Sequence, residues 1–255
     1  MNASLNPYCV KLQNRGLIHI EGADRHDFLQ GLISNDIRKL SAGKALYSTL
    51  LTPQGKFLHD FFIHEGDGFT LLDCEGGDRA QDLYKRLNQY KLRKDVQISV
   101  EDQNDVYAVF ASDIGIPDPR HADMGRRVFE KPDLEERPFE DWDRLRIELC
   151  IPDGSRDLQL ERSTVQEGHI DKLNGVDWDK GCYMGQELTA RIHHRGLSKK
   201  HLYTVHFEGE APPPFSKLDN GGSMRSSCGN IGLALLKDDA IDTMKDDNGQ
   251  IRILG

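Results

Sequence analysis

The segment DKGCYMGQE, residues 179–187, holds the residue types of this chain that are best suited to chemistry. Cys182 lies between Gly181 and Gly185 and next to Tyr183. A cysteine thiolate can serve as a nucleophile, a metal ligand or a redox thiol. Because glycine lets the backbone turn sharply or approach another group closely, Cys182 could equally be a small buried side chain in a tight turn. Composition alone leaves these alternatives open.

The residues after the cysteine favour a position for it at the start of a helix. Residues 186–193 have a helix-compatible composition, which predicts that Cys182 lies in a loop just before a helix N-terminus. The partial positive charge of such a terminus stabilises a thiolate, and nearby cations add to this effect. Lys180, Arg191 and Arg195 are the candidate cations. A functional thiol and a structural thiol are both consistent with this placement.

The segment ARIHHRGLSKKH, residues 190–201, concentrates four Lys or Arg and three His in an acidic chain. It could bind an anionic ligand tail or an acidic partner. It could also be a solvated helix end whose cations suit the C-terminal helix dipole. His193 and His194 are adjacent, so on a helix they diverge by about 100° and are poorly placed to chelate one metal.

Three carboxylates are candidates for acid–base or binding roles. Asp60 follows His59 directly and could do acid–base work, although such a pair often faces solvent on a strand. Glu148, in RLRIELC, and Glu161, in LQLERS, are candidates of the same grade. The sequence holds no Ser/His/Asp set, no G-x-G-x-x-G pattern and no P-loop.

Composition narrows the class of protein. A net charge of −9 over 255 residues, with a pI near 5.6, argues against a nucleic-acid binder. No apolar run approaches the roughly 20 residues that span a bilayer, and the N-terminus has no secretory signal pattern. The 5 cysteines include no CxxC pair, which predicts free thiols in a reducing compartment and no metal site built by this chain alone. We expect a cytoplasmic protein, or one already processed.

Hydrophobic patterns predict alternating strands and helices. Residues 8–21 predict two short strands around a turn at 14–16, and Asp24 is a candidate N-cap for a following helix. Residues 46–63 predict a β-hairpin with its turn at 53–55, and a third strand follows. Residues 78–93 predict an amphipathic helix. This order indicates an α+β fold with mixed or antiparallel sheets.

The same patterns predict four regions along the chain. They are an N-terminal α+β region, a long connection that could be mobile, a second α+β segment carrying the cysteine motif, and a small C-terminal β domain. Their predicted bounds are 1–112, 113–142, 143–198 and 199–255.

Residues 180–187, KGCYMGQE, resemble the K-G-C-aromatic-x-G-Q-E signature of the YgfZ-type proteins, relatives of folate-dependent proteins that assist iron–sulfur cluster maturation. RGLIHIEGADRHDFLQGLISND is similar to the family's first strand and helix, and LLTPQGKFLHDFFI to its hairpin. RLRIELCIP resembles the start of its second half. LTARIHHRG resembles the subgroup that contains the mitochondrial-type assembly factor.

The resemblance implies the fold of the glycine-cleavage T-protein, with three subdomains around a folate-sized opening and a final small β barrel. It also implies a maturation factor for [4Fe–4S] client enzymes that acts with an A-type carrier. Cys182 would be a redox thiol or a ligand of a [2Fe–2S] or [4Fe–4S] cluster shared with that carrier, since a cluster normally needs four ligands. Lys180 and Arg191 would lower its pKa or contact the partner. Tyr183, Gln186 and Glu187 would position the loop, and Gly181 and Gly185 would belong to the same motif and partner-binding segment. The implied location is the bacterial cytoplasm or the mitochondrial matrix.

Folate is the second implication. Asp60, Glu148 and Glu161 match positions that contact tetrahydrofolate in the relatives. The T-protein has two adjacent carboxylates where this chain has His59 and Asp60, and the proline usual before the second acidic position is replaced by Gln159. A one-carbon (aminomethyl) transferase with Asp60 as acid or base is therefore the alternative function. A plain folate-binding module with a structural thiol is a third.

Overall fold

The computed structural model describes residues 6–101, 105–218, 221–241 and 251–253. These residues form four α-helices, α1 to α4 in chain order: Arg25–Gln30, Asp78–Lys91, Phe139–Glu148, Gln186–Arg195. They also form fourteen strands, β1 to β14 in chain order: Tyr8–Lys11, Arg15–Glu21, Ala45–Leu51, Phe57–Glu65, Phe69–Glu75, Gln97–Glu101, Tyr107–Phe110, Ile116–Pro117, Arg126–Val128, Glu135–Arg137, Lys200–Phe207, Ser223–Cys228, Ile231–Lys237, Ile251–Ile253. None of the described helices is long and apolar enough to cross a membrane.

The first sheet is antiparallel and has the strand order β3-β4-β5-β2-β6. Its β3–β4 hairpin turns at residues 53–55, as the sequence predicted. β4 is buried along nearly its whole length, because each face of the sheet packs on a separate apolar core. Helices α1 and α2 contribute to the core on one face, and the other face packs toward the remaining sheets.

The second sheet has the order β10-β1-β7-β9-β8, and β1 pairs parallel with β10 and antiparallel with β7. The predicted turn at 14–16 therefore separates strands of two different sheets. For the same reason the predicted region 1–112 is not one structural unit. Its first strand shares a sheet with β8, β9 and β10, which lie beyond residue 112.

Residues 113–142 are not the long connection that the sequence predicted. They form β8, β9, β10 and the first turn of α3. These strands are only two or three residues long, too short to display an alternating pattern. Their charged side chains are not all solvated, because Asp118, Arg120 and Arg127 are buried and paired with one another.

The third sheet is antiparallel with the order β12-β13-β11-β14. Within the described part of the chain, β11 to β14 form an open four-stranded sheet and not the closed barrel that the resemblance implied. Part of the predicted 199–255 region lies outside the described residues. Helix α3 packs on this sheet and on β1, and so joins the second and third sheets.

A chain of buried ion pairs joins the first two sheets. Arg15 Nε donates to Asp73 Oδ1 at 2.7 Å within the first sheet. Arg127, on β9, contacts the same carboxylate, and its guanidinium carbon lies 3.5 Å from the centroid of the Phe62 ring. Burial acts to raise the pKa of Asp73, but Arg15 and Arg127 outweigh it and hold that pKa below its ordinary value. Asp73 is therefore ionised in the core, and its two ion pairs link the first sheet to the second.

Candidate functional site

The cysteine motif lies against the C-terminal end of α1 and leads into α4. Lys180, at the start of the motif, is 4% exposed and points inward. Its ammonium donates to three carbonyl oxygens, of Gln30 at 2.9 Å, Ile33 at 2.7 Å and Asn35 at 2.7 Å. All three N–H donors of the ammonium are thereby used. Burial lowers the pKa of Lys180 to about 8, and the nearby carboxylates of Asp36 and Asp177 partly oppose this shift.

This placement assigns Lys180 a role that differs from the expected one. The sequence predicted that its charge would act on the thiol or on a partner. The structure instead uses the ammonium to fasten the motif to the segment of residues 30–35.

A second anchor follows the cysteine. Tyr183 is 7% exposed and packs in the main core, and its ring centroid lies 5.0 Å from the Lys180 ammonium. Burial raises the pKa of the Tyr183 phenol to about 12. The next residue, Met184, donates its backbone N–H to the carbonyl of Gly31 at 3.1 Å. The loop is therefore held on both sides of Cys182.

Cys182 itself is exposed between these anchors. The other four cysteines, all within the described residues, are buried or partly buried. Burial raises the pKa of Cys74 to about 12 and that of Cys150 to about 11, which makes both poor thiolates. Cys182 is thus the one exposed cysteine of the five, and the prediction that it precedes a helix is confirmed.

The two glycines that flank Cys182 have different structural roles. Gly185, the N-cap of α4, has φ +84°, and a Cβ there would lie 2.5 Å from the Thr52 carbonyl oxygen and 3.1 Å from Gly55 Cα. The hairpin turn of the first sheet therefore packs backbone to backbone against the start of α4. A Cβ on Gly181 would meet nothing within 4 Å. Gly185 is required by packing, and Gly181 lies at the open surface.

Helix α4 carries the remaining predicted motif residues on its first two turns. The Gln186 backbone N–H donates to the Tyr183 carbonyl at 3.2 Å, which joins the loop to the helix. Glu187 and Arg191 form an exposed ion pair at 2.9 Å. His193, in the next turn, stacks on Trp178, with ring centroids 3.8 Å apart. Trp178 was not among the residues predicted from the sequence, although an aromatic residue two positions before Lys180 is a visible signal.

No three His, Cys, Asp or Glu side chains converge as a metal site within the described ranges. A cluster at Cys182 would therefore take its other ligands from elsewhere.

The predicted acid–base residue Asp60 lies deep in the first sheet. It is 3% exposed, and the Tyr47 hydroxyl donates to its Oδ2 at 2.9 Å. A Cβ on Gly154 would lie 3.2 Å from Asp60 Oδ1, so the backbone of that segment packs directly over the carboxyl group. Burial raises the pKa of Asp60. A carboxyl group that faces a ligand cavity keeps accessible surface when the cavity is empty, and Asp60 keeps almost none.

The other two predicted folate contacts lie elsewhere. Glu148 is exposed near the end of α3 and pairs with Arg144 at 2.9 Å. Glu161 is 65% exposed at its side chain and lies 3.9 Å from Arg86 of α2. Asp60 is buried, whereas Glu148 and Glu161 lie on the surface and pair with different arginines. These residues therefore do not fit a single tetrahydrofolate held by all three.

The structure resembles a solved enzyme in its fold. The crystal structure of glycine cleavage system aminomethyltransferase T from Bartonella henselae matches with a TM-score of 0.72, covering 97% of this chain and 82% of that chain. The sequence identity is 14%, so the likeness establishes the fold alone. The expected T-protein-like α+β architecture is confirmed. No protein-family profile matches the chain.

Curated relatives define the family within that fold. "Iron-sulfur cluster assembly factor IBA57, mitochondrial" from Homo sapiens is 33% identical over 277 residues, which cover 89% of this chain and 77% of the relative. The protein of the same name from Mus musculus is 31% identical over 283 residues, which cover 91% and 78%. The chain belongs to the IBA57 family of iron–sulfur cluster assembly factors, as the resemblance of its motifs predicted.

Proposed function

We propose that this protein assists the maturation of [4Fe–4S] proteins by lending the Cys182 thiolate to a cluster that it shares with an A-type carrier. The observation that carries the proposal is the presentation of Cys182. It is an exposed thiol on a loop fastened by Lys180 on one side and by Tyr183 and Met184 on the other. Membership of a family named for iron–sulfur cluster assembly supports the same role.

Cys182 acts by ligand exchange at the cluster. The thiol gives its proton to solvent, and its sulfur binds one iron of the cargo cluster in place of an existing ligand. No change of oxidation state is needed for this step. A held loop favours it because less conformational entropy is lost on binding than for a free segment. Since one thiolate supplies one of about four ligands, the carrier provides the others.

The test is an anaerobic mixture of the protein with a [2Fe–2S]-loaded A-type carrier, followed by visible absorption and EPR. We expect a new cluster spectrum with the wild-type protein and with Cys228→Ser, in which a partly buried cysteine is changed as a control. We expect no new spectrum with Cys182→Ser. An unchanged carrier spectrum with the wild-type protein would overturn the proposal.

The alternative, tetrahydrofolate-dependent aminomethyl transfer, has less support. Its acid or base would be Asp60, which is buried under the Gly154 segment and bonded to Tyr47. Binding of tetrahydrofolate elsewhere on the scaffold can be tested by titration. Because the curated relatives are named mitochondrial, we place the protein in the mitochondrial matrix or, for a bacterial chain, in the cytoplasm.

A further inference from the structure

The surface that continues from Cys182 along α4 is basic, in a chain whose net charge is −9. No carboxylate occurs between Glu187 and Glu208, although the chain has 42 Asp and Glu among 255 residues. Five exposed cations define what we call the basic surface: Arg191, Arg195, Lys199, Lys200, Lys237. Arg191 forms an ion pair with Glu187, and both side chains of that pair are about half exposed or more. Such a pair leaves Arg191 largely available.

The register of the third sheet gives an independent reason to assign a ligand to this surface. Lys200 of β11 lies directly opposite Lys237 of β13. Like charges directly opposite on neighbouring strands are destabilising. The nearby carboxylate of Asp238 is engaged by His201 at 2.7 Å and by the Tyr203 hydroxyl at 3.1 Å, and Asp239 beside it is exposed. An external anionic group would relieve the repulsion between the two lysines.

The dimensions of the surface fit a protein partner. The ten residues of α4, from Gln186 to Arg195, extend about 14 Å, at a rise of roughly 1.5 Å from one residue to the next. The residues from Cys182 to Gly185 form a turn closed by the Gln186–Tyr183 backbone hydrogen bond, so they add less length than the helix does. The helix and this turn together fit within a standard interface of roughly 800 Å² per partner. A small anion would contact only part of this span. The partly buried Trp178, stacked on the exposed His193, and the half-exposed Leu197 add the apolar contacts that protein interfaces use.

We propose that the basic surface is the docking site for an acidic face of the carrier protein, and that it delivers the carrier's cluster to Cys182. This inference rests on the proposed function. Opposite charges would steer the carrier onto α4, and the thiol at the start of the helix would then meet the cluster.

The test measures carrier binding to a charge-reversed variant, Arg195→Glu/Lys199→Glu. The matched control is Lys85→Glu/Arg93→Glu, which reverses two exposed cations on and just after α2. We expect the first variant to lower the association rate with an A-type carrier roughly tenfold or more at low salt, and the difference to shrink as salt increases. We expect the control to bind within about twofold of wild type. At saturating carrier the charge-reversed variant should regain the cluster spectrum, whereas Cys182→Ser should not.

The outcomes separate the two proposals. If wild type does not bind the carrier at all, the proposed function fails and the docking surface fails with it. If wild type binds and both double variants bind equally well, the docking surface alone is wrong. Vesicles containing phosphatidylserine test the competing anionic partner. Charge-dependent binding to vesicles, with carrier binding unaffected by the reversal, would also overturn the inference.

Discussion

Gly185 and Gly55 pack backbone to backbone, and this contact sets the hairpin of the first sheet against the start of α4. A Cβ on Gly185 would lie 3.1 Å from Gly55 Cα, and a Cβ on Gly55 would lie 3.0 Å from the Gly185 carbonyl oxygen. Both residues also have positive φ, at +84° and +67°. The contact leaves no room for a side chain on either partner.

Gly185→Ala should therefore destabilise the fold, because the new Cβ meets the Thr52 carbonyl at 2.5 Å in a backbone conformation that favours glycine. We expect a loss of about 2 kcal/mol or more in the free energy of unfolding, measured in urea. The matched control is Gly181→Ala, where a Cβ meets nothing and the change should stay within about 0.5 kcal/mol. Equal stability of the two variants would show that the packing at Gly185 is not rigid.

Lys180→Met should release the motif loop. The change removes three hydrogen bonds and leaves the carbonyls of Gln30, Ile33 and Asn35 without their donor. We expect a destabilisation of about 2 kcal/mol or more. We also expect faster amide hydrogen exchange in residues 30–35 and 180–184. Lys172→Met, at an exposed lysine, is the control and should match wild type in both measurements. Wild-type exchange rates in Lys180→Met would mean that the loop is held without its ammonium.

His64 should make the fold sensitive to acid. Burial lowers its pKa to about 4, with Asp73 and Asp118 opposing and Arg127 and Arg15 adding to the effect. An unfolded histidine has a pKa near 6.5, so between pH 6.5 and 4 the unfolded chain binds a proton that the folded chain does not. The associated stability is complete above pH 6.5 and is lost as the pH falls toward 4.

That loss amounts to roughly 3 kcal/mol for one such histidine. It is measured by comparing urea unfolding of wild type and His64→Phe at several pH values. The variant should show a shallower fall between pH 6.5 and 4. Part of the fall will remain in the variant, because burial also lowers the pKa of His59 to about 4. Parallel curves for the two proteins would mean that His64 takes up its proton in the folded state.

Asp60→Asn should leave the cluster function intact. An asparagine oxygen can still accept the hydrogen bond from the Tyr47 hydroxyl, and burial already favours the neutral carboxyl form. We expect a stability change within about 1 kcal/mol and an unaltered cluster spectrum with the carrier. Loss of the spectrum in a folded Asp60→Asn protein would contradict this prediction and support an acid–base role for Asp60.

Local patterns made part of the fold predictable. The β3–β4 hairpin and helix α2 were found because their periodicity and turn residues are local signals. The candidate N-cap Asp24 lies at the start of α1, but its carboxylate accepts from the Asp95 N–H instead of capping the helix. α1 itself is shorter than the apolar stripe suggested, because the chain turns at Gly31.

Contacts between distant segments were not predictable. The acceptors of Lys180 lie 145 to 150 residues earlier in the chain, so no local pattern reveals that its ammonium is an anchor. The exposure of Cys182 and the burial of Asp60 likewise depend on which segments fold over them. Residue types identified the motif, and tertiary packing decided which of its side chains reach the surface.

The position of β1 has a consequence for how the chain is made. β1 is inserted between β7 and β10, with Tyr8 opposite both Phe110 and Glu135. A nascent chain that leaves the ribosome from its N-terminus therefore exposes this strand long before either partner exists. About a hundred more residues must be synthesised before β1 can pair with β7, and during that time the apolar residues of β1 need protection. Products of premature termination before residue 135 would carry an unfinished sheet and should depend on chaperones or be degraded.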